Sequence, residues 1–309
     1  MLRKIVLTGA GGALGTVLRA PLAAMCDRLL STDLRKAPDD LLPNETWRRA
    51  DLARMDQIAP LIEGADMVVH FGAIVDEKPF EDLWGPNFLG AYNIWEAAHR
   101  HGVRRIVYAS SIHAVGMYGT GEGIDTDVPH RPDTFYGLAK CFAEDLGRLY
   151  WEKRGLESVH LRILSCTPEP QNARALGTWL SYADLVRLVT RAIDTPVTGF
   201  AVVYGVSAND RAPVSNRHVP FLGYHPQDNA ERHAAAILAR TPAADPRDPG
   251  LACVGGPFAA VALGQSGVAA IRAMTAGTPA GDSGKAKPGK AKPAKAKAGK
   301  PKSAPRGKG

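Results

Sequence analysis

The sequence predicts an α/β fold, a doubly wound parallel sheet with helices on both faces. Three observations carry this. Strand-like and helix-like stretches alternate along the first two thirds of the chain. The strand-like stretches are short continuous apolar runs, as in a sheet covered on both sides. The opening strand also runs straight into a glycine-rich turn that starts a helix.

Taken in order, "RKIVLTG" (3–9) is a strand ending in glycine, 13–25 a helix and "DRLLSTD" (27–33) a second strand. "ADMVVHFGA" (65–73) is a buried strand, and 85–102 a helix stopped by Gly102. "RRIVYASS" (104–111) is a strand, 135–155 a long helix with a Gly155 stop, and 156–164 a further strand. Shorter elements follow: a helix at 181–194, a strand at 199–207 and a helix at 228–240. Order is expected to fade after Phe258. Residues 1–258 then form the principal unit, 259–277 a short helix or linker, and 278–309 a disordered tail of Lys, Ala, Pro and Gly.

The formal net charge of +7 misleads. Ten basic residues and no acids lie from Lys285 onward, and the preceding 284 residues carry three more acids than bases. Charge alone would draw the tail to nucleic acid or an anionic surface. It holds no aromatic to stack on bases, so a solubilising tail is the favoured reading. No apolar run is long enough to span a bilayer, and "MLRKIVLTG" lacks the features of a secretory leader. Cys26, Cys141, Cys166 and Cys253 are widely spaced, which points to reduced thiols in a cytoplasmic protein and to no metal site.

"TGAGGALG" (8–15) spaces Gly9, Gly12 and Gly15 three apart between the first strand and the first helix. Such glycines let the backbone approach a pyrophosphate and let the helix pack close, the Rossmann-type arrangement. Asp33 ends the second strand, where a carboxylate can bond a ribose 2′-hydroxyl and repel a 2′-phosphate, favouring NAD over NADP. Asp51 and Leu52 lie where a following loop could meet the adenine.

Tyr136 and Lys140 stand four apart and share a helix face. A free phenol is a poor base at neutral pH, but a neighbouring ammonium and a cationic nicotinamide ring would favour phenolate. Such a tyrosine can take the proton of an alcohol while hydride leaves. Ser110 and Ser111 fall at the carboxyl end of a strand, where ligands bind in such sheets.

Together these residues resemble the short-chain dehydrogenase/reductases, extended branch, and "NFLGAYN" (87–93) is similar to that branch's N-x-x-G-x-x-N helix. The finer resemblance is to the NAD-dependent uronate dehydrogenases. It rests on "EKPFEDL" (77–83), "ASSIHAVGMY" (109–118), "YGLAKCFAEDLGRLY" (136–150), "RILSCTPEPQNAR" (162–174), "SAND" (207–210) and "FLGYHPQDNAE" (221–231), and spans residues 1–258. It implies oxidation of the C1 hydroxyl of D-galacturonate or D-glucuronate to an aldarolactone, with hydride passing to NAD⁺.

By the same resemblance, Tyr136 would be the base, with Lys140 and Ser111 completing the catalytic set. Gly9, Gly12, Ala13, Gly15, Asp33, Asp51, Leu52, Phe71, Gly72, Ala73, Lys140 and Ser165 would contact the cofactor. Val75, Ser111, Ile112, His113 and Arg174 would line the substrate. A homo-oligomer with no membrane association is also implied.

Arginine suits the uronate carboxylate because its planar fork makes two charge-assisted hydrogen bonds at once. The prolines of "TPEPQNAR" would stiffen the loop that carries Arg174, leaving it less entropy to lose on binding. The chain departs from the family pattern at Ile112, where asparagine is usual, and at Val75, where a small polar residue is usual. Pro213 and Val214 stand where tryptophans are usual. Two other readings stay open. One is a nucleotide-sugar epimerase or dehydratase of the extended branch; the other is an NAD-sensing regulator that is not an enzyme.

Overall fold

The computed structural model describes residues 1–241 and 248–275. The expected tail at 278–309 lies outside the described residues. Chain order runs β1 (Leu2–Thr8), α1 (Ala13–Ala23), β2 (Cys26–Asp33), β3 (Glu45–Arg49), α2 (Met55–Ile62) and β4 (Met67–His70). Next, α3 (Phe80–Leu83) passes through a π-helical segment (Trp84–Leu89) into α4 (Gly90–Arg100). Then come β5 (Arg105–Tyr108), α5 (Phe135–Arg154), β6 (Glu157–Ile163), β7 (Ser165–Cys166), α6 (Ala175–Thr178), β8 (Trp179–Leu180), α7 (Tyr182–Asp194) and β9 (Phe200–Gly205). Four short helices follow: α8 (Ala234–Leu238), α9 (Pro249–Ala252), α10 (Pro257–Ala260) and α11 (Gly267–Thr275).

Seven strands form one sheet in the order β3-β2-β1-β4-β5-β6-β9, and every pairing is parallel. The order reverses between β1 and β4, so the carboxyl ends of those strands open a crevice there. Strand alternation divides the core between the faces. Ile5, Leu7, Met67, Val69 and Val107 share one cluster with Leu18 and Leu22 of α1 and Leu185 and Leu188 of α7. Val6, Val68 and Ile106 point the other way and pack with α2, α4 and α5 through Ile58, Ile94, Trp95 and Leu146.

Several elements depart from the sequence reading. β3 and α2 lie in a stretch the sequence left unassigned. β3 is an edge strand of five residues, and Pro60 inside α2 weakens its helical signal. The 85–102 helix begins as a π-helical segment containing Pro86, a residue with no N–H to give the usual ladder. The single helix at 228–240 is a 3₁₀ turn (Ala230–His233) followed by α8. Within the 259–277 stretch read as a short helix or linker, α10 ends and α11 forms. Val268 and Ile271 of α11 pack against a cluster of Leu83, Phe88, Tyr136, Ala139 and Phe258.

Candidate active site

The cofactor end is built from backbone. A side chain at Gly15 would place its Cβ 2.1 Å from the Gly9 oxygen, and one at Gly9 would meet Phe71 and Gly72 at 2.6 Å. Only glycines allow α1 to close on β1 and β1 to lie against the 71–73 segment. Asp33 faces this loop: its Oδ2 accepts from the Gly11 N–H at 3.0 Å and its Oδ1 from the Arg35 N–H at 3.0 Å. The Arg35 guanidinium bonds the Gly11 carbonyl. Leu52 packs beneath Gly72 and Gly90, and Asn93 of α4 donates to the Leu52 carbonyl at 2.8 Å. Asp51 accepts from the Ala53 N–H, and Ala13 is exposed at the start of α1. A narrow, backbone-lined crevice at a helix N-terminus with a flanking carboxylate suits a dinucleotide.

Tyr136 and Lys140 leave the first turns of α5. Thr134 caps this helix by accepting from the Gly137 N–H at 3.0 Å. The Lys140 ammonium lies 5.3 Å from the Tyr136 ring centroid and donates to the Ala109 carbonyl at 2.7 Å. Ser111 is buried just beyond β5, its Oγ accepts from the His113 N–H at 3.3 Å, and its hydroxyl acts on the Tyr136 phenol. These three residues meet as the sequence suggested, but the electrostatics differ. Burial pushes Tyr136 up to about 12, against the smaller opposing effect of the Ser111 hydrogen bond. Burial also draws Lys140 down to about 7, partly offset by Glu144. The groups that act on Tyr136 in the chain alone are its burial, Ser111, Asp133 and Asp76.

Behind them lies a buried ionic network that sequence reasoning missed. Glu144, one turn beyond Lys140, accepts from Ser110 Oγ at 2.5 Å and from Arg162 Nη2 of β6 at 2.8 Å. His130 Nε2 stands 2.8 Å from the same carboxylate. Despite burial, Arg162 and the His130 bond hold Glu144 well below the usual carboxylate range. Fixed charges here lock α5 to β6 and set the Tyr–Lys face.

At the substrate end, Arg174 leaves the proline loop half-buried. Its Nη1 donates to Ser165 Oγ at 2.9 Å and its Nη2 to the Val254 carbonyl at 2.6 Å. Burial lowers it to about 10, with Asp133 opposing. Among the described residues, no carboxylate forms an ion pair with it. His113 stacks on Phe258 at 4.0 Å between centroids, meets Tyr136 edge-on at 5.7 Å, and bonds Asp133 Oδ2 at 2.7 Å. Gly255 bonds Gly116 backbone to backbone, which lays the Val254–Phe258 segment across the site.

Two residues expected at the substrate differ sharply in exposure. Ile112 is 1 % exposed and packs with Val115, Tyr118, Ile124 and Val254, so its apolar side chain joins the core and not the cleft. Val75 is 62 % exposed on the loop after β4. Cys141 and Cys166 are packed thiols whose pKa values burial raises, in line with a structural role. Asp133, Phe258 and Val254 were missed because each reaches the site through a distant partner. "RPD" just before Thr134 was the signal for Asp133.

A parallel sheet with a glycine crevice and a Tyr–Lys–Ser set at its carboxyl edge defines a nicotinamide-dependent oxidoreductase fold. The chain belongs to the NAD dependent epimerase/dehydratase family, whose model matches residues 5–167. Within it, the chain stands with the uronate dehydrogenases. It is 44% identical to the uronate dehydrogenase of Pseudomonas putida over 257 residues, which is 83% of this chain and 95% of that one. It is 45% identical to that of Agrobacterium fabrum, over 83% of this chain and 97% of that one. Among solved structures, a variant of the Agrobacterium tumefaciens uronate dehydrogenase complexed with NAD matches with a TM-score of 0.81 at 44% identity, covering 84% of this chain and 98% of that one. A glucuronic acid dehydrogenase from Chromohalobacter salexigens matches at 0.83 and 39% identity, covering 85% and 98%.

Proposed function

We propose that this chain oxidises the C1 hydroxyl of cyclic D-galacturonate or D-glucuronate to the aldarolactone. The observation that carries the substrate class is Arg174, a half-buried guanidinium with no carboxylate partner among the described residues, tied through Ser165 and Val254 to the cleft of Tyr136. A uronate carboxylate completes it, whereas a neutral sugar leaves it unpaired. The backbone at Gly9, Gly12 and Gly15 would hold the cofactor pyrophosphate, and Asp33 the adenosine ribose. The 71–73 segment and Lys140 would flank the nicotinamide end. When bound, NAD⁺ supplies the hydride acceptor and a positive ring charge.

Tyr136 takes the proton of the C1 hydroxyl at its phenol oxygen while the hydrogen on C1 leaves as hydride, and Ser111 holds the C1 oxygen beside it. Ser165 holds Arg174 at the boundary of the two ligands. His113, set by Asp133 and Phe258, walls the sugar side. Leu138 and Phe142, one turn apart on α5, are exposed apolar side chains that a second copy of the chain could cover, which supports a homo-oligomer. Among the described residues, no helix is long and apolar enough to cross a membrane. Widely spaced free cysteines support a cytoplasmic setting.

The test is NADH absorbance with purified protein offered galacturonate, glucuronate, glucose and UDP-sugars. NADH formed with uronates alone supports the reading. Turnover of UDP-sugars without net NADH would support the epimerase reading instead.

A further inference from the structure

Glu77 stands outside the Tyr–Lys–Ser set, yet it touches the helix that carries it. Its side chain is 0% exposed. Oε2 accepts from the backbone N–H of Tyr136 at 2.9 Å, and Oε1 accepts from the backbone N–H of Gly264 at 2.8 Å. Among the described residues no ion pair involves it. A buried carboxylate without a cation is costly unless its oxygens are well bonded. Here two N–H groups, one in the first turn of a 20-residue helix, meet that need.

Thr134 caps Gly137 from the residue just before the helix, and Glu77 caps Tyr136 from a distant loop. Its neighbour Asp76 grips the same C-terminal stretch. Asp76 Oδ2 accepts from Ser266 Oγ at 2.5 Å, and Oδ1 from the Val268 N–H at 3.0 Å. Ser266 in turn caps α11 through the Ala269 N–H at 3.0 Å. The loop after β4 therefore binds the 264–268 segment with one carboxylate, and joins that segment to the catalytic turn with the next.

We propose that Glu77 is a positioning residue for the reaction: its carboxylate holds the first turn of α5 and the 264–268 segment in one register. Docking of the C-terminal segment over the site and placement of Tyr136 are then a single event. This rests on the reading of Tyr136 as the base. Phe258 packs against Val268 of α11 and covers His113, so substrate enclosure and base alignment arrive together. Asp76 and Glu77 divide the work: Asp76 fixes the segment, and Glu77 passes its position to Tyr136.

The experiment uses the full chain with Glu77→Gln, Glu77→Ala and Asp76→Asn. Hydrogen exchange is followed in peptides covering 134–140 and 262–270, beside steady-state kinetics and NAD⁺ titration. Gln keeps one acceptor and turns a donor toward the other N–H, so it should lose part of the effect and still fold. For both Glu77 variants, exchange should rise in both peptides together. The kcat should fall about 10-fold for Gln and about 100-fold for Ala, with NAD⁺ affinity within about twofold. Asp76→Asn should loosen both peptides and lower kcat as well. Its lost charge alone would act the other way, since Asp76 raises the Tyr136 pKa.

Exchange rising in only one peptide, or kcat unchanged within about twofold, would overturn the proposal. A melting temperature and NAD⁺ affinity that collapse in step with kcat would also overturn it, marking Glu77 as merely structural. Wild-type protein that forms no NADH from uronates sinks the functional reading, while the paired exchange still decides whether Glu77 couples the two segments.

Discussion

The cofactor end and the substrate end of this site are built by different means. The first is local and made of backbone: residues 8–15 form a turn whose glycines meet Phe71 and Gly72, and Asp33 closes on Gly11. The second is assembled from afar. Arg174 leans on Val254, His113 stacks on Phe258, and Tyr136 is capped by Glu77, which also holds Gly264. A ligand common to many enzymes is met by a contiguous motif, whereas the feature that selects one sugar class is spread over the chain. Changes at one end should therefore leave the other end's ligand almost untouched.

The largest expected effect is Tyr136→Phe, which removes the base. Turnover should drop by roughly 10³, within the range for general base catalysis, with NAD⁺ affinity retained in titration. Arg174→Ala comes next. Two charge-assisted hydrogen bonds to the substrate are lost, so kcat/KM for uronates should fall by at least about 100-fold while the Kd for NAD⁺ holds. Equal weakening of NAD⁺ would mean that Arg174 serves the loop and not the substrate. Asp33→Ala is the reverse case: NAD⁺ affinity should weaken by roughly tenfold, and uronate KM at saturating NAD⁺ should stay unchanged.

A smaller effect lies beneath the site. His70 and His160 both pack against Trp95 and Tyr108, and burial lowers them to about 3 and about 4. Both are neutral when folded, yet the unfolded chain protonates them below about 6.5. Stability they contribute is full above that pH and declines as pH falls toward 4, at about 1.4 kcal/mol per unit for each histidine. Thermal melts from pH 7 to 4 should show the decline, and a flat profile would contradict neutral buried imidazoles. The smallest effect belongs to the tail: a chain ending at Gly277 should match the full chain in kcat and KM.

How much was legible in the sequence follows the same division. The glycine turn, Asp33 and the Tyr136–Lys140 spacing carry their chemistry in adjacent residues, and the strand–helix alternation gave the sheet. Edge strand β3 and proline-containing α2 escaped because each is short and weakly patterned. Glu77 and Asp133 escaped for another reason. Each looks like an ordinary loop acid until the fold buries it against a backbone N–H or an imidazole. Ile112 shows the converse, since its position in the motif pointed to the sugar and its side chain packs into the core.

The central claim is that Arg174 selects an acid sugar at a Tyr136-centred site. Its most direct test is the ratio of kcat/KM for galacturonate to that for galactose, measured in wild-type protein and in Arg174→Ala. The account predicts a large ratio in the wild type that collapses by at least about 100-fold in the variant, through loss of uronate turnover alone. A ratio that survives the substitution, or a wild type that does not distinguish the two sugars, would contradict it.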